Sequence, residues 1–437
     1  MKKLTRVLIC TGFLTLLLIS WIIVSTSKQA AEKQIILINQ ATDMMNNEIY
    51  IKAAPLLEEA AGYNAAHRDL AETELKRVYL NLIDKKGFSR KYLSLLDKQM
   101  NRHDVSANVF IEAAQYHLQN NKIKEALEVL KQGIEITNDE NIRVIYERNR
   151  YAYEIHRPAF DNVTSVFGRT IQVQIDGKWG ICDDTASLII PCLYDKISNL
   201  NEGIAIVKDG SNIYAVDREN NKTAVAGIAL DDFGNIADGR VPVFVNGLWQ
   251  RATDEFELGA SLFEDIGMYS NGYAAAKTGG KWGVIDINNK WLIPAQYDGI
   301  VLDEMKRCFA QGSLFVRTGS GVNLFTDGAF TGEYYEDAHP FGEEGYAAVK
   351  RNGKWGFIDV NGIVIIPFIF DDALSFGQHL AAVKTEEGWG YVCREGKLVI
   401  DAVFYQAKSF SNGSAPVLTD RGWQLITLLE YKRGVSL

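Results

Sequence analysis

The chain is poor in the residues that most often carry catalysis, metal binding or covalent cross-linking. Its 437 residues include five cysteines and six histidines. Cys10 falls in an apolar N-terminal run, and Cys182, Cys192, Cys308 and Cys393 follow no CxxC or metal spacing. That pattern excludes a recognisable disulfide framework or zinc ribbon. Cys182 and Cys192 lie within one repeat, where they either meet across neighbouring strands or stand as separate buried thiols. His67, His103, His117, His156, His339 and His379 occur singly, with no HxH or HExxH pattern. No glycine-rich phosphate loop opens a helix, and Gly319-Ser320-Gly321 lacks the strand-to-helix setting of a nucleophile elbow. Accordingly no catalytic, cofactor-binding or metal-ligating residue is assigned, no cofactor is called for, and the binding residues stay unassigned.

Low-complexity segments and long runs of like charge are also absent, so no long stretch reads as disordered. The formal net charge of −9 is unevenly spread. Residues 1–27 carry three basic side chains and no acidic ones, residues 28–157 balance 19 against 19, and residues 158–437 hold 24 basic and 36 acidic. An acidic C-terminal portion repels nucleic acid at long range.

Lys2, Lys3 and Arg6 precede an uncharged, mostly apolar run from Val7 to Val24. As a helix this run would be about 27 Å long, nearly a bilayer core. It exceeds the apolar core of a cleaved signal peptide, Trp21 stands at an interfacial position, and the three basic residues within 1–27 all lie on its N-terminal side. The expectation is a transmembrane signal anchor over residues 1–27, with the N-terminus cytoplasmic and the bulk extracytoplasmic. The alternative is cleavage near Ser25-Thr26-Ser27 and secretion.

Prolines nearly vanish next: Pro55 is the only one before Pro158, and apolar residues from about Ala30 to Arg157 fall at helical spacing. The clearest stretch is Phe110 to Asn138. There Ala113, Ala114 and Tyr116 lead to a turn at Asn120-Asn121, and Ile123, Ala126, Leu127, Leu130 and Ile134 line a second helix. Looser copies lie around Ala41 to Ala61 and Leu75 to Leu96, and Ala54, Tyr92 and Ala126 head the second helices. This pattern resembles a tetratricopeptide repeat, although the family's usual Trp, Gly and closing Pro are missing. The resemblance implies an all-α domain over residues 28–157 whose groove receives a peptide; a plain helical spacer is the competing reading.

From Pro158 onward one phrase recurs, Gly-Lys-Trp-Gly, an apolar residue, then Ile-Asp, clearest at Gly280–Asp286 and Gly353–Asp359. Its Trp place is filled by Trp179, Ile213, Trp249, Trp282, Val322, Trp355, Trp389 and Trp423. An aromatic-acidic landmark keeps step with it at Phe160, Tyr194, Leu230, Phe263, Tyr297, Tyr335, Phe370 and Phe404, with spacings of 33 to 38 residues. Eight units are therefore present. Asp176-Gly177, Asp209-Gly210, Asn246-Gly247, Gly279-Gly280 and Asn352-Gly353 predict tight hairpins ahead of the Trp strand. Leu188-Ile189-Ile190-Pro191 and its relatives at Pro294 and Pro367 predict a further strand that Pro closes. Each unit is then three or four short antiparallel strands. Stacking gives a propeller-like ring or an open solenoid, with the ring favoured by a tail near Leu428-Leu429 able to pair with the first unit.

The phrase with its Ile-Pro and Tyr-Asp endings resembles the WG-repeat, or KWG-repeat, family of bacterial proteins. Units four and six match best, while Ile213 and Val322 replace Trp, and Gln250 and Gln424 replace Gly. The resemblance implies a binding or scaffolding module without a shared catalytic activity. Replacement of Trp by Ile or Val favours a wedge packed between units over an exposed sugar platform. Asp286, Asp359 and Asp217 read as turn caps. Asp195, Asp298 and Asp371 read as caps or, in a closed ring, as a cation-binding circle. The whole sequence predicts an anchored, extracytoplasmic interaction protein without catalysis of its own, bound to a protein or peptide partner. A cell-envelope glycan-binding or glycan-active protein is the alternative.

Overall fold

A computed structural model describes residues 25–225, 230–253, 255–308, 312–319 and 321–431. The expected anchor segment from Val7 to Val24 lies outside the described residues. Among the described residues no helix is long and apolar enough to cross a membrane. The chain forms two compact units that divide between Arg148 and Asn149.

The first unit is helical: α1 (residues 25–46), α2 (Tyr50–Gly62), α3 (Arg68–Asn81), α4 (Phe88–Met100), α5 (Ala107–Gln119), α6 (Ile123–Thr137) and α7 (Glu140–Asn149). The helices fall as pairs at the three places the sequence indicates, with α7 as an addition. Asn121 holds the α5–α6 turn at φ 56°, a conformation Asn adopts at little cost. Ala126, Leu127, Leu130 and Gly133 form the buried stripe of α6. A Cβ on Gly133 would lie 2.9 Å from both Phe110 and Ile142, so its missing side chain sets how closely α5 and α7 approach. Ala54, Tyr92 and Ala126 are all buried, as their place at the helix contacts requires.

The second unit is a closed eight-bladed β-propeller, each blade a four-stranded antiparallel sheet. Blade 6 shows the plan. A two-residue inner strand, Asp337–Ala338, is followed by Tyr346–Arg351, Lys354–Asp359 and an outer strand, Val364–Phe370. The predicted hairpins are present. Asn352 and Gly353 take φ 53° and 76°, both positive as a tight turn of matching twist demands.

Closure follows from a phase offset between sequence unit and blade. In blades 1 and 3–7 the Trp place pairs with the landmark that follows it, as in Trp179↔Tyr194 and Val322↔Tyr335. The last Trp, Trp423, pairs instead with the first landmark, Phe160. A three-residue strand ahead of it, Tyr153–Ile155, supplies the outer strand of blade 8 by pairing with Leu428, Thr427 and Ile426. The tail therefore pairs with a segment just before the first unit, and the β-unit begins ahead of Pro158. Tyr-Glu-Ile is too short to show a strand period, so it reads as the end of the helical pattern.

One local expectation is corrected. Pro191 and Pro367 do not close their strands but sit inside the outer strands Leu188–Tyr194 and Val364–Phe370. The ladder skips there, from Trp179↔Tyr194 to Ile181↔Ile190, so the proline occupies a bulge on an edge strand where its missing N–H costs nothing.

Candidate functional site

The repeated phrase is consumed by the architecture. Each Trp packs against the inner strands of the following blade: Trp355 joins Ala373, Phe376 and Ala381, and Trp389 joins Ala407, Phe410 and Ala415. Trp355, Trp389 and Trp423 are buried, and Val322 fills the same place completely buried. The wedge reading holds. The glycine after Trp has an equally specific reason. A Cβ on Gly180 would meet Ile190 O at 2.5 Å, and one on Gly356 would meet Ile366 O at 2.8 Å, so glycine lets the bulged outer strand cross close overhead. Where Gln250 takes this place it pairs directly with Leu262, and Gln424 instead sends its Nε2 to His156 O at 2.8 Å.

Lysine and acid of the phrase form a clasp between blades. Lys178 reaches Asp195 at 2.5 Å, Lys281 reaches Asp298 at 2.7 Å, and Lys354 reaches Asp371 at 2.5 Å. The second oxygen of Asp195 accepts the Gly210 N–H at 2.8 Å, and that of Asp298 accepts the Gly319 N–H at 3.0 Å, each in the hairpin turn of the next blade. Asp161, Asp231, Glu264 and Glu336 accept turn N–H groups in the same manner. These carboxylates act as clasps and caps. Asp286, Asp359 and Asp217 cap turns within their own blades, Asp359 accepting from Asn361 and Ile363 at 2.9 and 2.8 Å.

The lysine hydrogen bonds hold Asp195, Asp298 and Asp371 below the usual carboxylate range. A group depressed on folding contributes stability above its unfolded pKa, about 3.9, and loses it as pH falls toward the folded value. The combined variant Asp195→Asn, Asp298→Asn, Asp371→Asn is therefore expected to show a smaller drop in melting temperature between pH 6 and pH 3 than the parent. Thermal melts across that range check this, and equal drops would remove the clasp from the acid response.

Histidines and cysteines are dispersed. His156 shares a hydrogen bond with Thr427 at 2.9 Å, and His379 pairs with Glu344. His339 stacks on Trp355 with ring centroids 5.0 Å apart, and burial lowers its pKa. Cys182, Cys192, Cys308 and Cys393 are free thiols, and burial pushes the Cys308 thiol up to about 12. Among the described residues no group of three or more His, Cys, Asp or Glu side chains is placed to hold a metal. Gly319 lies in a hairpin turn between Leu314–Thr318 and Gly321–Thr326, and Ser320 is outside the described residues.

The concave feature of the β-unit is its central channel, which the motif reading missed. A cavity of about 880 Å³ runs along the inner loops of blades 4 to 8 and 1, lined among others by Phe167, Phe341, His339, Asp372, Trp389 and Lys408. A smaller one of about 380 Å³ is bounded by Gln172, Trp179, Asp232 and Trp249 of blades 1 to 3. Glu304 lines both. It belongs to the inner loop of blade 5, which turns on Asp303: that carboxylate accepts the N–H groups of Met305 and Arg307 and the Arg307 Nε. Met305 packs into an apolar cluster with Ala237, Met268 and Phe167 from blades 3, 4 and 1. This loop is a strap across the channel. Its sequence signal is the 38-residue step from Tyr297 to Tyr335, the longest between landmarks.

The description "WG containing repeat" matches residues 179–212, 261–282, 282–302, 334–355, 355–388 and 389–423. The C-terminal unit of this chain is a WG-repeat domain. No curated protein matches the chain. Solved structures overlay it only partially. Hsv2 of Kluyveromyces lactis is 9% identical with a TM-score of 0.36, covering 63% of this chain and 97% of its own. A eukaryotic initiation factor is 10% identical with a TM-score of 0.40, covering 63% and 87%. The β-propeller domain of Myceliophteria thermophila Cps50 (Swd1) is 9% identical with a TM-score of 0.34, covering 63% and 99%.

Proposed function

We propose that this chain is a membrane-anchored, extracytoplasmic protein-protein interaction or scaffolding protein with no catalytic activity of its own. The observation that carries the reading is an apolar rim. The residue before the landmark, on the outer strand, is Leu193, Leu262, Tyr334, Ile369 or Val403 in five blades, each 51 to 66% exposed. The Trp, Gly, Lys and Asp of the repeat are spent on packing, whereas these side chains belong to no apolar cluster among the described residues. Exposed apolar side chains repeated at one register favour a docking surface. The positively flanked N-terminal run supports anchoring, and the helical unit adds a second repeat surface.

Partner capture from envelope extract, followed by reconstitution with the purified partner, tests this. The double variant Ile369→Asp, Val403→Asp is expected to lose the partner while melting within a few degrees of the parent. Undiminished binding by that variant, or robust turnover of an envelope substrate by the purified protein, would sink the proposal. N-terminal sequencing of the mature protein separates anchored from secreted forms. Burial of Trp355, Trp389 and Trp423 weighs against the glycan-binding alternative, which rests on the half-buried Trp179, Trp249 and Trp282, since stacking on sugars needs an exposed ring.

A further inference from the structure

The strap of blade 5 ends in a contact that its own placement does not need. Residues 303–308 are already fixed on the blade 4 side: Lys306 O accepts the Met268 N–H at 3.1 Å, and Lys306 pairs with Asp265 at 2.9 Å. Met305 is buried in the apolar cluster. Met305 and Arg307 also meet the Phe167 ring of blade 1, and Glu304 adds the polar contacts across the channel, where one oxygen accepts the Ser165 N–H of blade 1 and the other meets the Lys408 ammonium of blade 8. Blades 1 and 8 face blade 5 across an eight-bladed ring.

Ser165 and Lys408 together make a donor set for a carboxylate: one main-chain N–H fixed by an inner loop and one ammonium. The ammonium lies 5.4 Å from the centre of the Trp423 ring, which confines it against the channel wall. Blade 8 is singular here. The corresponding residues after the inner strands of the other blades, from Thr164 in blade 1 to Leu374 in blade 7, are neither lysine nor arginine. Both donors open on the larger cavity, about 880 Å³, which has the size of a small-molecule site.

We propose that Ser165 and Lys408 form a carboxylate-binding subsite of the central channel, and that Glu304 occupies it as an internal stand-in for an external ligand. An incoming carboxylate exchanges for Glu304 with little change in contacts, so the two compete. A tethered competitor acts at an effective concentration near the millimolar range, which raises the apparent Kd of the external acid. This inference concerns the channel alone and stands independently of whether the outer rim docks a protein.

The test uses the full chain with Glu304→Gln and Glu304→Ala, and two probes: N-acetylglutamate and the peptide acetyl-Gly-Glu-Gly-amide. Binding is read by calorimetry and by the amide shift of Ser165. Either variant is expected to bind a probe at least tenfold more tightly than the parent, and adding Lys408→Met is expected to abolish the gain. Preference for the free acid or for the peptide distinguishes a metabolite-like ligand from an acidic peptide segment. If both variants fold and neither gains affinity, or if the gain survives Lys408→Met, Glu304 is a structural brace only and the proposal falls.

Discussion

A fragment beginning at Pro158, where the repeat phrase starts, is expected to be markedly less stable than one beginning at Asn149. The shorter fragment lacks Tyr153–Ile155 and so leaves the strand Gly422–Leu428 without its outer partner beyond the retained Phe160↔Trp423 pair. Bonds lost with it include His156 N–H to Leu425 O and Leu429 N–H to Ala152 O, both 2.8 Å, besides the ladder itself. At about 1 kcal/mol for each of four or more hydrogen bonds, the loss is about 4 kcal/mol or more. Tyr153 also packs its ring near Phe404 of blade 7, at 6.2 Å between centroids. Parallel urea titrations of the two fragments measure the difference. Coincident midpoints would mean that the ring closes without its borrowed strand.

Trp355→Ala in the full chain should cost about 3 to 5 kcal/mol, as truncation of a buried aromatic generally does. The residue is 5% exposed and contacts both its own blade and the next, so the vacancy opens at an interface that repeats around the ring. The loss also removes the partner of the His339 ring. Denaturant unfolding followed by far-ultraviolet dichroism provides the number, and a change below about 1 kcal/mol would contradict the wedge. Trp355→Val should cost less, because Val322 fills the same place in blade 5.

The repeat was legible because its chemistry is local. Glycine in the Trp-Gly step, asparagine-glycine hairpins and turn-capping aspartates each answer to neighbours within one or two strands, so they recur with the period. The ring required more. Its closing strand is three residues long, and its partner lies some 270 positions away, beyond the reach of any periodicity. The strap was hidden for a related reason. Its length showed as an irregular spacing, but that Glu304 meets Lys408 depends on two blades facing each other across a channel. Residue types alone do not reveal that a common glutamate and a common lysine share a site.

The closing strand also sets how the β-unit answers to mechanical load. Tyr153 pairs with Leu428, so the incoming and outgoing ends of the chain leave the ladder from the same end. Tension between them peels the pairs apart one after another instead of shearing all three together. A pull on the chain ahead of Tyr153 would thus open blade 8 first and at low force, while the seven blades closed by their own hairpins keep their shape.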